Sequence, residues 1–189
     1  ERSFFQQLLT DDHIARYPSI LDFATSNALL KTVVHYMGML PAMSVANPLG
    51  VRLAESDEKL GEPTNGRYRE SQLFHLDYHA SPLLYVLVAL RDITPECGPF
   101  SLLPASVSAE ARRALRNQRW RVPYRVMDDD VYRVADRRHL FEFTCPAGSV
   151  LFLDSSRCFH YGSRDAKIPR YMMMYAYTPV CRNDFGAIL

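Results

Sequence analysis

Two histidines and one aspartate fall within five positions in the stretch FHLDYHA, Phe74 to Ala80, an otherwise apolar and aromatic run. Imidazole nitrogens and carboxylate oxygens are the side-chain donors that hold divalent transition metals. In a strand, side chains alternate faces, so His75 and Asp77 point one way while Phe74, Leu76 and Tyr78 point the other. Their Cα atoms would lie about 6.6 Å apart, near enough for one ring and one carboxylate to converge on a single ion. His79 has the same parity but lies about 13 Å from His75 in a straight strand, too far to join that ion. Tyr78 and His79 instead follow the motif directly and are candidates for substrate contact. A third ligand must come from elsewhere in the chain.

The best remote candidate is His160 in VLFLDSSRCFHYGSR, where an apolar strand runs into Asp154, Ser155 and Ser156 and leaves a histidine at or just beyond a turn. Strand ends and loops on a rigid sheet are where ligands are usually displayed. Two histidines and one carboxylate leave several coordination positions open, as in non-haem Fe(II) oxygenases. Ten positions on, Arg170 opens RYMMMYAY. If Arg170 faces the interior, alternation places Met172, Met174 and Ala176 with it, and Tyr171, Met173, Tyr175 and Tyr177 on the other face. A guanidinium fork there suits a dicarboxylate.

The elements that must position these residues are mainly short strands. From Ala42 onward, segments rich in Val, Ile, Leu, Phe and Tyr are cut by Pro, Gly, Asp and Ser, with no helical crossovers of the kind parallel strands need. That pattern predicts a mainly β chain, a sandwich or barrel. The front reads as helix: Phe4, Phe5, Leu8 and Leu9 form one apolar stripe, and Leu29, Leu30, Val33, Val34 and Met37 form another that stops at Gly38. Residues 1–40 are thus expected to form a buttress outside the strands of 42–179. A helix over Ser108 to Trp120, with Ser108 as its cap, would belong to an insertion near 106–138. Its arginines, Arg112, Arg113, Arg116, Arg119, Arg121 and Arg125, read as a solvated face balanced by Asp128, Asp129, Asp130 and Asp136, or alternatively as a grip on an anionic substrate handle.

The order His75-x-Asp77, His160, Arg170 resembles the iron- and 2-oxoglutarate-dependent dioxygenases, and within them the phytanoyl-CoA dioxygenase-like branch. Three stretches add to the likeness: VALRDITPECGPFSLLPASVS, PAGSVLFLDSSRCFHYGS and PRYMMMYAYTP. It spans roughly Leu73 to Pro179. The resemblance implies a double-stranded β-helix (a cupin-like jelly roll) with Fe(II) held by His75, Asp77 and His160, and 2-oxoglutarate salt-bridged to Arg170. It further implies use of O2, release of succinate and CO2, and hydroxylation of an aliphatic carbon of a small or medium metabolite such as an acyl-CoA, amino acid or natural-product intermediate. Asp77 stands where related halogenases have a small residue, which disfavours halogenation. Met172 stands where some relatives place a hydroxyl, so that auxiliary grip must come from another strand. Gln72 lies out of phase with His75 and would face away in a regular strand.

Totals narrow the alternatives. The 189 residues, 48% of them hydrophobic, suit one core. Lys plus Arg number 22 and Asp plus Glu 21, so no overall field draws the chain to nucleic acid or an anionic membrane, and a small-molecule partner is expected. Cys97, Cys145, Cys158 and Cys181 form no C-x-x-C pair, which points to reduced thiols in a cytoplasm. No apolar run approaches the roughly 20 residues of a membrane helix. Two rival functions remain at this stage: a non-enzymatic jelly-roll ligand binder, and a cupin-type metalloenzyme without 2-oxoglutarate, for which an H-x-H with a nearby Glu would be expected. Oligomeric state is not encoded legibly.

Overall fold

The computed structural model describes residues 5–43, 51–56, 68–78, 80–118 and 124–180. Among these residues eleven strands and five helices follow one another as β1 (Phe5–Gln7), α1 (Asp11–Arg16), α2 (Ser19–Ala24), α3 (Asn27–Met37), β2 (Pro41–Met43), β3 (Val51–Ser56), β4 (Phe74–His75), β5 (Leu84–Ala89), β6 (Ser101–Leu102), α4 (Ala105–Gln118), β7 (Arg125–Val126), α5 (Asp128–Tyr132), β8 (Phe141–Glu142), β9 (Val150–Asp154), β10 (His160–Tyr161) and β11 (Arg170–Pro179). The strands form two antiparallel sheets. A six-stranded sheet runs β1-β3-β11-β5-β9 with β2 also on β11, and a five-stranded one runs β7-β4-β10-β6-β8. This is a jelly roll.

Alternation along β11 decides what lies inside it. Met172 and Met174 pack with Leu87, Ala89 and Phe143 between the sheets. Tyr175 and Tyr177 turn outward to meet Leu29, Val33 and Met37 of α3, and the Tyr177 hydroxyl donates to the Ala24 carbonyl at 2.7 Å. The helix stripe read from the sequence therefore seals the outer face of the larger sheet and ends at Gly38, whose φ of 69° is the left-handed value a C-cap glycine adopts. The smaller sheet is backed by the insertion. Ala111 and Leu115 of α4 and Val131 of α5 pack on Phe74, Leu76, Phe159 and Tyr161.

Two local expectations are corrected. Phe5 does not belong to a helix: Phe5–Gln7 pairs antiparallel with β3, from Phe5 opposite Ser56 to Gln7 opposite Ala54. Helix starts only at Asp11, where the Thr10 side chain accepts from the His13 N–H, so the pull of an open sheet edge outweighs the apolar stripe. Ser108 is not a cap. It lies inside α4, where its hydroxyl donates to the Leu103 carbonyl and accepts from the Phe159 N–H, tying the helix to the strand that carries His160. Cys97, Cys145 and Cys158 are free thiols. Among the described residues no helix is long and apolar enough to cross a membrane.

Candidate metal centre and cosubstrate cavity

β4 and β10 are adjacent in the smaller sheet, and His75 is directly opposite His160 in their register. Phe74 and Leu76, which flank His75, and Phe159 and Tyr161, which flank His160, are drawn outward into the core under α4 and α5. Burying those four forces the intervening histidines to the inner face. The two rings lie 4.3 Å apart between centroids. Asp77 reaches them by a different route from the one expected: the strand stops at His75, and the Asp77 N–H donates to the Ser155 carbonyl, 3.0 Å away, just past β9. Its carboxylate oxygen then stands 3.7 Å from Nε2 of His160. One donor atom from each of His75, Asp77 and His160 lies within 4.8 Å of the others.

The tautomers are set by the backbone. Nδ1 of His75 lies 2.8 Å from the Leu73 carbonyl, and Nδ1 of His160 lies 2.8 Å from that of Cys158. A carbonyl can only accept, so each Nδ1 carries a proton, and Nε2 is the nitrogen that could coordinate a metal. Burial, reinforced by the adjacent His160, lowers the His75 pKa to about 3 and keeps that ring neutral. Phe100 stacks on His160 at 5.2 Å. Two imidazoles whose Nδ1 atoms are engaged by the backbone, gathered around one carboxylate, fit a divalent transition metal.

Arg170 lies at the head of β11 and is buried. It donates to the Gly98 carbonyl at 2.6 Å and the Ser163 hydroxyl at 3.2 Å. Among the described residues no carboxylate pairs with it. Burial lowers its pKa to about 10, which still leaves it cationic at neutral pH. A cavity of about 210 Å³ joins it to His75, Asp77 and His160. Gly162 lies close beside it: a Cβ there would stand 3.3 Å from Nη2 of Arg170, a tight contact, and 3.6 Å from Phe100, an ordinary one.

Gln72 has a different place from the one the strand pattern gave. It is buried in a short 3-10 turn before β4, and its amide donates to the Ser163 carbonyl at 2.6 Å. It therefore supports the residue that touches Arg170. Arg164 ties the same turn to the insertion: Nε donates to the Gln72 carbonyl at 2.6 Å and the two terminal nitrogens hold both oxygens of Asp128 at 2.8 Å. Tyr78 is exposed beside Tyr124 and does not line the cavity. His79 lies outside the described residues. Sequence reasoning missed Ser71, Phe100 and Tyr124, which also line the cavity, and Arg52, for which a signal existed: a lone cation alternating with Ala54 and Ser56 along an apolar strand.

No family model and no curated protein matches this sequence. Solved structures do. HygX from Streptomyces hygroscopicus with nickel and 2-oxoglutarate bound superposes with a TM-score of 0.58 at 16% identity, over 94% of this chain and 71% of its own. The non-haem 2-oxoglutarate-dependent epimerase SnoN, complexed with Fe3+, 2-oxoglutarate and nogalamycin RO, gives 0.53 at 15% identity over 92% and 62%. The chain has their fold. AviO1 from Streptomyces viridochromogenes Tue57 matches with a TM-score of 0.50 at 13% identity, over 85% of this chain but only 61% of its own length. The chain thus spans between about three fifths and seven tenths of these structures.

Proposed function

We propose that the chain is a non-haem Fe(II)- and 2-oxoglutarate-dependent oxygenase that hydroxylates an aliphatic carbon of a small or medium metabolite. The observation that carries this reading is the content of one cavity: two imidazoles and a carboxylate at one place, and at another a buried arginine that, among the described residues, pairs with no carboxylate. His75, Asp77 and His160 would hold the iron, and Arg170 would take the far carboxylate of 2-oxoglutarate. With O2 and 2-oxoglutarate, bound iron supplies an oxidant able to remove hydrogen from an unactivated C–H bond. Leu87, Met172, Met174 and Phe100 keep the surroundings apolar and restrict water. Ser163, held by Gln72, steadies the Arg170 fork and supplies the hydroxyl that Met172 cannot. HygX is recorded with hygromycin B and SnoN with nogalamycin RO, which supports a small-molecule substrate.

Removal of hydrogen is common to hydroxylation and epimerisation, and the fate of the carbon separates them. Incubation of iron-loaded protein with 2-oxoglutarate should release succinate, faster with a suitable substrate, and Asp77→Ala should lose both iron retention and succinate release. Product formed under labelled dioxygen should carry one labelled oxygen atom. An unlabelled product inverted at one centre would replace hydroxylase by epimerase, and a protein that retains neither iron nor 2-oxoglutarate would favour a simple ligand binder.

A further inference from the structure

A second concavity, of about 470 Å³, lies on the other side of the His75–Asp77 segment, between α4 and the turn that follows β9. Arg112, Arg113 and Arg116 of α4 and Arg157 of the turn line it, with Leu76 and Ala109 supplying apolar surface. Ala105, Ala109, Arg112 and Arg116 follow one helical stripe, flanking the stripe of Ser108, Ala111 and Leu115 that is buried against the smaller sheet.

Of the four acids expected to balance these arginines, Asp128, Asp130 and Asp136 are engaged elsewhere, and Asp129, among the described residues, forms no ion pair with any of them. Asp128 is held by Arg164, Asp130 by Arg133 at 3.2 Å, Asp136 by Arg138 at 2.7 Å, and Glu70 by Arg125 at 2.9 Å. Asp154, three residues before Arg157, accepts from the Tyr36 hydroxyl at 2.7 Å and the Ser156 hydroxyl at 2.6 Å; Arg157 itself also reaches the Tyr36 hydroxyl. Among the described residues no carboxylate forms an ion pair with Arg112, Arg113 or Arg116, not even Glu110 on the same helix. Like charges one turn apart repel, and an anion between them removes that repulsion. Guanidinium forks match phosphate oxygens in pairs.

The slot also shares a wall with the metal cavity. Leu76 lines the slot while its chain neighbours His75 and Asp77 line the cavity, so the partition is one residue thick. At the rim, the Arg112 guanidinium stands 5.6 Å over the Tyr78 ring, Tyr78 is 5.8 Å from Tyr124, and Tyr124 lines the cavity.

We infer that this slot binds a phosphate or pyrophosphate group, carried by the substrate whose skeleton enters the metal cavity past Tyr78 and Tyr124, or supplied as a free anion. The first source rests on the oxygenase reading; occupancy of the slot does not. Calorimetric titration of the metal-free protein with inorganic pyrophosphate at low salt should give saturable binding of one anion. Arg112→Gln/Arg116→Gln should weaken it about tenfold or more, whereas Arg138→Gln, paired with Asp136 outside the slot, should leave it unchanged. Arg113→Gln, at an exposed position, provides a second reading should the double variant fold poorly, and should weaken binding severalfold. Absence of saturable binding, or equal losses in the slot variants and Arg138→Gln, overturns the inference. With iron-loaded protein, phosphorylated metabolites that accelerate succinate release in the wild type, but not in the double variant, assign the phosphate to the substrate. Saturable pyrophosphate binding without that preference assigns a free anion. Failed titration with intact succinate release removes the slot alone; intact titration without succinate release removes the oxygenase reading alone.

Discussion

Each histidine of the centre is prepared by a carbonyl two residues before it, Leu73 for His75 and Cys158 for His160, so the same short-range device is used twice. That His75, Asp77 and His160 come together was legible from the order of the motif, because His-x-Asp alone is weak but is followed by His160 and then Arg170 at strand positions. The way they meet was not, because parity within one strand cannot announce that Asp77 leaves the ladder and hangs from Ser155. The cradle around Arg170 was also hidden: Ser163 has a φ of 60° and Gly98 one of 58°, turns that only the assembled chain requires. Two substitutions test that cradle. Gly162→Ala would push a methyl group against Nη2, and should raise the KM for 2-oxoglutarate severalfold while iron binding stays unchanged. Arg170→Gln keeps the volume roughly but removes the charge; a loss of about 2 to 3 kcal/mol of cosubstrate binding is expected, read as KM against kcat. Unaltered cosubstrate dependence in both would place 2-oxoglutarate elsewhere.

Strands and helices show where sequence patterns succeed and where they stop. The alternation of β11 was readable in full, from Arg170, Met172 and Met174 on one face to Tyr175 and Tyr177 on the other, because a ten-residue strand leaves little ambiguity. Two-residue strands such as β4 and β10 leave almost no periodic signal, and their pairing joins positions far apart in the chain. The insertion backs the smaller sheet and adds β7 beside β4; among its described residues only Tyr124, at its edge, lines the cavity. Arg164 is the joint between these parts. Its side chain lies 3.3 Å over the Tyr161 ring and 4.2 Å over that of Tyr68 while holding Asp128. Arg164→Gln should destabilise the fold by about 2 to 3 kcal/mol in denaturant titration, and should weaken 2-oxoglutarate binding through Gln72 and Ser163. Asp128→Asn should do less, since the rings and the Gln72 carbonyl still hold the guanidinium.

Across the whole molecule, two sheets face each other with a helical layer behind each, α3 behind the larger and α4 with α5 behind the smaller. Phe74 is fully buried in that second layer, edge-on to Tyr132 and Tyr161 at 5.6 and 4.8 Å, and immediately precedes His75. Phe74→Ala should cost about 3 to 5 kcal/mol of stability, and iron retention measured below the melting transition should fall with it. A variant that melts early yet holds iron as tightly as before would separate the layer from the centre. Mainly β architecture and the front buttress were legible from segment lengths and from the Leu29 to Met37 stripe; the β1 edge was not, because pairing across a sheet leaves no local trace. The brevity of β4 and β10 has a practical side. A single paired rung cannot keep His75 facing His160 unaided, so their alignment is on loan from the helices pressed against their backs, and local opening there is easier than melting the long strands. Storage or mild denaturant that lifts this cover would yield protein with an intact far-ultraviolet spectrum but no grip on its ion, and amide exchange at His75 and His160 faster than along β11 is the early warning to look for.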